Sequence, residues 1–317
     1  MFNNPASLWH WLGLRPLARH VVAPGNGSAT AAPLAPVVHC RRASVDGLSI
    51  FYREAGAADA PVIVLLHGFP SSSHMFRDLI PLLADRFRVI APDYPGFGHS
   101  DAPPASEFEY SFDRLAGVVD SLLDQLGVES AVFYMQDYGG PIGMRLAVEW
   151  PQRVAGLVVQ NANAYMEGVS QAAIDVFMPL WQHGDETNAR KLLLPATTRF
   201  QYEAGARDPA ALNPDAWTHD QATLDRPGAA ERQLALFRDY QSNVARYDAW
   251  HDWLRSHQPR TLIVWGKGDP FFTVAGAEAF TRDLTDVELH FFSTGHFALE
   301  EDALPIAALI RKRFAPD

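Results

Sequence analysis

The chain has 317 residues, and 26 Lys plus Arg against 37 Asp plus Glu give it a formal net charge of −11. That acidic surplus argues against a nucleic-acid binder, which carries clustered basic charge, while 48% hydrophobic and 20% charged residues suit a chain that folds around a sizeable core. The single cysteine, Cys40, excludes an internal disulfide and a cysteine metal cage, and no run reaches the about 18 uninterrupted apolar residues of a spanning helix.

The first stretch differs from the rest. Up to Val45 it holds no Asp or Glu, and Arg15, Arg19, Arg41 and Arg42 occur among Ser, Ala, Pro and Gly. An acid-free, Arg-containing leader is the composition of an organelle transit peptide. Gly25 to Pro36, however, reads as a Gly/Ala/Pro linker, and the favoured reading of residues 1–43 is a flexible or mis-started N-terminal extension. A secretory signal fits poorly, because Arg15, Arg19 and His20 interrupt the apolar segment.

From Ser44 onward strands and helices alternate. PVIVLLHG, ending at Gly68, is a continuous β-rich run of the kind buried on both faces of a parallel sheet. Met75, Phe76, Leu79, Ile80, Leu82 and Leu83 fall on helical spacing and predict a helix over Ser73 to Ala84, followed by a short strand in RVIAPD. Phe112 to Leu126 is amphipathic, AVFYMQ is the next strand, Tyr138 to Trp150 the next helix and VAGLVVQNA the strand after it. The strand signal then stops. Trp181, Trp217, Trp250 and Trp253 lie among helical segments broken by Pro179, Pro195, Pro209, Pro214 and Pro227, which predicts an inserted helical domain over residues 161–259. TLIVWGKGD, a helix near Ala275 to Arg282, the strand VELHFF and a closing helix from Phe297 to Phe314 resume the alternation. Residues 44–160 and 260–317 thus read as an α/β core, whose ligands bind beyond the carboxyl ends of the strands.

Reactive residue types gather at those strand ends. Gln136-Asp137-Tyr138-Gly139-Gly140-Pro141-Ile142-Gly143 is a sharp strand-to-helix turn that lifts Asp137 above the sheet and aims a helix N-terminus at it. Gly139 meets the small-residue spacing of a nucleophile elbow and Met135 does not; taken alone, Asp137 also reads as a helix N-cap. Asp269 follows TLIVWG, and His296 follows the last strand. Each alone has an ordinary alternative, a Gly-Asp-Pro turn and a surface histidine. Together they stand in the order nucleophile, acid, histidine, that of an α/β-hydrolase triad. Two serine elbows are decoys: the turn at Ser100 runs into Pro103-Pro104, and Ser170 opens a helix as an ordinary N-cap.

From Val45 to Phe314 the chain resembles the α/β-hydrolase superfamily, in the Asp-nucleophile branch of epoxide hydrolases and haloalkane dehalogenases. The resemblance rests on HGFPSSSHMFRDLIP, DYPGFGHSDAP, QDYGGPIG, WGKGDPFF and GHFALEE. It implies an α/β-hydrolase fold with a mostly parallel sheet, the insertion being a helical cap over the active site. It also implies an oxyanion hole from the backbone N–H groups of Phe69 and Tyr138, with His67, Asp93 and Ser100 ordering their loops. In this branch Asp137 attacks an sp³ carbon, and His296, oriented by Asp269, activates the water that hydrolyses the resulting ester.

The leaving group separates the two activities. Haloalkane dehalogenases commonly place Trp after the nucleophile and Asn in the oxyanion motif; here those positions are Tyr138 and Phe69, which favours epoxide opening to a diol. Epoxide hydrolases supply a proton from two cap residues, usually Tyr, and Tyr240 stands at the family's spacing before Asp269 with Tyr247 as competitor. For the first cap position the chain offers Trp181 and His183. Haloalkane or haloacid hydrolysis is the alternative, with Trp181 as a halide-facing indole, and a non-catalytic ligand-binding protein is the alternative of another class. No nucleotide fingerprint and no metal-ligand spacing occur, so the expected reaction takes a small apolar substrate and water, without cofactor, metal, nucleic acid or stable membrane insertion, in a cytoplasmic setting.

Overall fold

A computed structural model describes residues 36–316; the reading of residues 1–35 as leader or linker lies outside them. Eight strands, β1 (His39–Val45), β2 (Leu48–Ala55), β3 (Val62–Leu66), β4 (Arg88–Pro92), β5 (Ala131–Gln136), β6 (Val154–Gln160), β7 (Thr261–Gly266) and β8 (Val287–Phe292), form one sheet in the order β1-β2-β4-β3-β5-β6-β7-β8. The β1/β2 and β2/β4 pairs are antiparallel and all the others parallel. Alternation explains the continuous apolar runs. Val64, Leu66, Phe133, Met135, Val159 and Ile263 face one hydrophobic core, while their chain neighbours Ile63, Leu65, Val132, Tyr134, Val158 and Leu262 face the other. A crossover sheet of this kind needs both faces covered, and the helices α1 (Leu79–Leu83), α2 (Phe112–Gln125), α3 (Gly139–Glu149), α10 (Val274–Ala279) and α11 (Leu299–Phe314) do so.

Between β6 and β7 the described chain is helical: α4 (Gln171–His183), α5 (Thr187–Lys191), α6 (Pro195–Glu203), α7 (Asp215–Leu224), α8 (Ala229–Ala245) and α9 (Tyr247–His257). Ser170 caps α4, its side chain accepting from the Ala173 N–H. Arg145 ties the segment to α3 from below. Its buried guanidinium donates to Asn243 Oδ1 at 2.6 Å and Ser242 Oγ at 2.9 Å on α8 and pairs with Asp113. No helix among the described residues is long and apolar enough to cross a membrane.

Two expectations are corrected. Residues 39–43 are not part of an extension but belong to β1, which turns into β2 through Asp46 and Gly47, both at positive φ (50° and 81°), the conformation that Asp-Gly hairpins require. β1 is an edge strand with exposed Arg41 and Arg42, a charge pattern that keeps an edge from pairing further and hides its strand character. The single helix expected over Ser73 to Ala84 is a 3₁₀ turn, Ser73–Phe76, and the short α1. Asp93 Oδ1 accepts from the Ser73 N–H at 2.7 Å, and Ser72 Oγ accepts from the His74 N–H, so the start of the segment serves the neighbouring loop.

Candidate active site

The turn after β5 is as sharp as its sequence requires. Asp137 has φ 49°, in the left-handed region, and its carbonyl accepts from the Gly140 N–H at 2.9 Å. A Cβ at Gly139 would stand 2.1 Å from the Leu66 carbonyl oxygen, so only glycine lets α3 start this close to β3. Met135, the departure from the small-residue spacing, is accommodated by Gly143: a Cβ there would lie 2.3 Å from the Met135 sulfur. The turn puts the Asp137 carboxylate against two backbone donors. The Phe69 N–H donates to Oδ1 at 2.7 Å, and the Tyr138 N–H also bonds the carboxylate. His67 orders this loop from beneath, its ring stacked on Tyr94 at 4.0 Å, and Asp93 accepts from the backbone N–H groups of Ser73 and His99.

His296 Nε2 lies 3.9 Å from Asp137 Oδ2, and its Nδ1 lies 2.7 Å from Asp269 Oδ2. With Nδ1–H given to Asp269, Nε2 is left as the acceptor, the tautomer of a general base. Asp269 is itself held, by the Phe271 N–H on Oδ1 (2.8 Å) and by Asn161 Nδ2 on Oδ2 (2.8 Å). Burial pushes the Asp137 pKa up; the His296 charge and the two N–H donors oppose it without cancelling it. For His296 burial pulls downward, but Asp269, by charge and hydrogen bond, and then Asp137 outweigh it and the net shift is upward.

Above these groups lies a cavity of about 290 Å³, lined by Phe69, Asp137, Tyr138, Gln201, Tyr240 and His296 within an otherwise largely apolar wall. Tyr240 enters from α8, its ring 6.1 Å from that of Tyr138, and burial pushes its phenol well above the usual range. Tyr247 does not line the cavity; it is buried behind Tyr240, against Trp250. Trp181 lines the cavity, but its indole N–H is bound to the Phe237 carbonyl at 2.8 Å. His183 does not line the cavity. It is the exposed last residue of α4, which turns it away from the cavity wall formed by Ala173, Ile174, Phe177 and Trp181 of the same helix.

Three residues of this neighbourhood escaped the sequence. Asn161, at the carboxyl end of β6, bridges Asp269 and the Gly266 backbone, and its place at a strand end was the available signal. Gln136, next to the elbow residue, donates from Nε2 to His296 Nε2 at 2.9 Å. Gln201 of α6 carried no signal.

Residues 61–303 match the family described as alpha/beta hydrolase fold. An uncharacterized hydrolase of Saccharomyces cerevisiae is 43% identical over 276 residues, 85% of this chain and 94% of that protein. A haloalkane dehalogenase of Bradyrhizobium diazoefficiens is 40% identical over 145 residues, 46% of this chain and 42% of the relative. Among solved structures, the haloalkane dehalogenase DbeA of Bradyrhizobium elkani superposes with a TM-score of 0.74 at 25% identity, covering 87% of this chain and 97% of that one. The epoxide hydrolase CorEH superposes at 0.73 over 88% of this chain and 99% of its own, at 19% identity, a likeness of fold.

Proposed function

The chain belongs to the alpha/beta hydrolase fold family, and from there we propose that it hydrolyses a small apolar epoxide to a diol through an ester formed on Asp137. The observation that carries the reading is a carboxylate, rather than a hydroxyl, held on the Phe69 and Tyr138 N–H groups with His296 Nε2 3.9 Å away. A carboxylate attacking an ester carbonyl would yield a reactive anhydride; attacking an sp³ carbon, it yields an ordinary ester. In the first step Asp137 bonds to an epoxide carbon, the C–O bond breaks, and the oxygen takes a proton from the Tyr240 phenol. In the second, His296 takes a proton from water, and the hydroxide adds to the Asp137 carboxyl carbon. The N–H groups of Phe69 and Tyr138 hold the oxyanion. Collapse expels the alkoxide, which takes the proton from His296 to give the diol, and the proton left on the Asp137 carboxyl passes to the Tyr240 phenolate, restoring both. No cofactor enters this cycle.

Tyr240 in the wall and a Trp181 indole already committed to Phe237 support an oxygen leaving group over a halide. The partial match to a haloalkane dehalogenase favours the second reading, carbon–halogen hydrolysis by the same ester route. Diol formation from styrene oxide and halide release from bromoalkanes, assayed in parallel on one preparation, test the proposal. Diol formation is expected; halide release without it would replace the epoxide with a halide.

A further inference from the structure

Of the polar groups in the cavity wall, Asp137, the Tyr138 N–H, Tyr240 and His296 stand at the chemistry described above, and the Trp181 indole is satisfied; the Tyr138 hydroxyl and Gln201 have no task in it. Gln201 is 4% exposed, and its carboxamide nitrogen has no hydrogen-bond partner among the described residues. Its position is built. Helix α6 ends against the loops that carry Asp269 and His296: a Cβ at Gly295 would stand 2.1 Å from the Ala204 carbonyl, and one at Gly205 2.0 Å from that of Gly268. Tyr202, the next residue, stacks on Phe297 at 4.0 Å and 3°. Gln201 lies one residue before that stack and about one turn before the Ala204 and Gly205 contacts, on a different element from Tyr240, which descends over Tyr138 and Phe112.

A buried amide nitrogen without an acceptor carries an unmet hydrogen bond. A hydrocarbon substrate leaves that bond unmade, whereas one with an oxygen placed against the carboxamide supplies it. We propose that Gln201 is a specificity residue, selecting substrates that carry a second oxygen acceptor, an ether or carbonyl oxygen, apart from the epoxide. The proposal rests on the reading of this cavity as the site of epoxide opening.

The test compares phenyl glycidyl ether with its carbon isostere 2-(2-phenylethyl)oxirane, which differs only by a methylene in place of the ether oxygen. Relative to Gln201→Leu and the similarly shaped Gln201→Met, the wild-type ratio of kcat/KM, ether over isostere, should be roughly tenfold higher, the size of one hydrogen bond made or left unmade. The loss in the variants should fall on the ether. An unchanged ratio, or equal losses on both substrates, overturns the proposal, since a packing or water-positioning role would not distinguish them. Calorimetric binding of the product pair, 3-phenoxypropane-1,2-diol and 4-phenylbutane-1,2-diol, gives the same comparison without turnover. If neither epoxide is consumed, the epoxide reading fails, and the diol pair still decides Gln201: a preference for the ether diol that the variants lose supports it, and equal binding refutes it.

Discussion

The strand ends and the helices between β6 and β7 both contribute to the cavity, but they hold their groups by different means. Asp137, Asp269 and His296 are placed by backbone: a left-handed turn, glycine contacts that admit no side chain, and loops that leave adjacent parallel strands. Tyr240 is placed by side-chain packing, its ring 5.6 Å from Phe112, 5.7 Å from Phe177 and 6.3 Å from Trp181. A backbone-determined group has one position set by the fold, and a packed one has a position that its neighbours can retune. Substitutions at the first should therefore abolish chemistry, and those at the second should reshape it.

The largest expected effect tests the first half of that contrast. Asp137→Asn removes the proposed nucleophile, and turnover should fall by about 10⁴ or more, with no mass increment on the protein after exposure to substrate; recovery over time would report deamidation back to Asp. His296→Gln should lose turnover on the same scale while still forming the ester. Intact-protein mass spectrometry should then show the adduct, on the peptide containing Asp137. Absence of an adduct with a substrate that the wild type consumes would remove the covalent route.

The same contrast explains what could be read from the chain alone. Asp137, Asp269 and His296 were legible because strand ends are marked by short apolar runs, and the structure brings the three together with the Phe69 and Tyr138 N–H groups. The β1–β2 hairpin was not, since an exposed edge strand with Arg41 and Arg42 lacks the apolar run that marks its buried neighbours. In the helical segment the separation from Asp269 favoured Tyr240 and kept Tyr247 as its competitor, and the structure puts Tyr240 in the cavity wall. Spacing along the chain also admitted His183, which helical rotation carries to the exposed end of α4. Gln201 could not be found at all, because a lone Gln on a helix acquires meaning only when the cavity beside it is known.

Next in size are the phenols. Tyr240→Phe should slow ester formation from an epoxide by roughly 10², the usual worth of a general acid, and leave ester hydrolysis near its wild-type rate. Tyr247→Phe should cost less than tenfold, because Tyr247 stands behind Tyr240 and outside the wall. Rapid-quench measurement of both steps separates them. Equal, near-normal ester formation in both variants would transfer proton donation elsewhere and restore the halide reading.

The pH dependence should divide the cycle in the same way. In the proposed cycle ester formation requires anionic Asp137, whose pKa burial has raised, so this step should fail on acidification at a higher pH than an ordinary carboxylate would set. Hydrolysis requires neutral His296, whose pKa is raised chiefly by Asp269 against its burial, so this step should climb with pH through a range above 6.5, up to tenfold per unit on the acid side. Between the two limbs the ester should accumulate. Single-turnover traces across pH should show a burst that shrinks as the medium becomes alkaline; a burst growing with pH would reverse the assignment of base and nucleophile.

The smallest effect is expected where the two regions meet. Arg145 leaves α3, the helix of the elbow, and bonds Asn243 and Ser242 on the helix of Tyr240, with its guanidinium over Phe112 and Trp250. Its carboxylate partner, Asp113, is 55% exposed at the side chain and can return to water, so the ion pair itself adds little. The hydrogen bonds are different, since Asn243 is fully buried and its Nδ2 already lacks a partner among the described residues. Arg145→Met keeps the apolar stem and strands the acceptor on Asn243, which should lower the unfolding free energy by about 1–3 kcal/mol, read from urea denaturation. Because the bond anchors α8 rather than the elbow, ester formation should slow by less than tenfold and hydrolysis should hold. Loss of hydrolysis instead would mean that Arg145 supports the strand-end groups and that the two regions are not separable in this way.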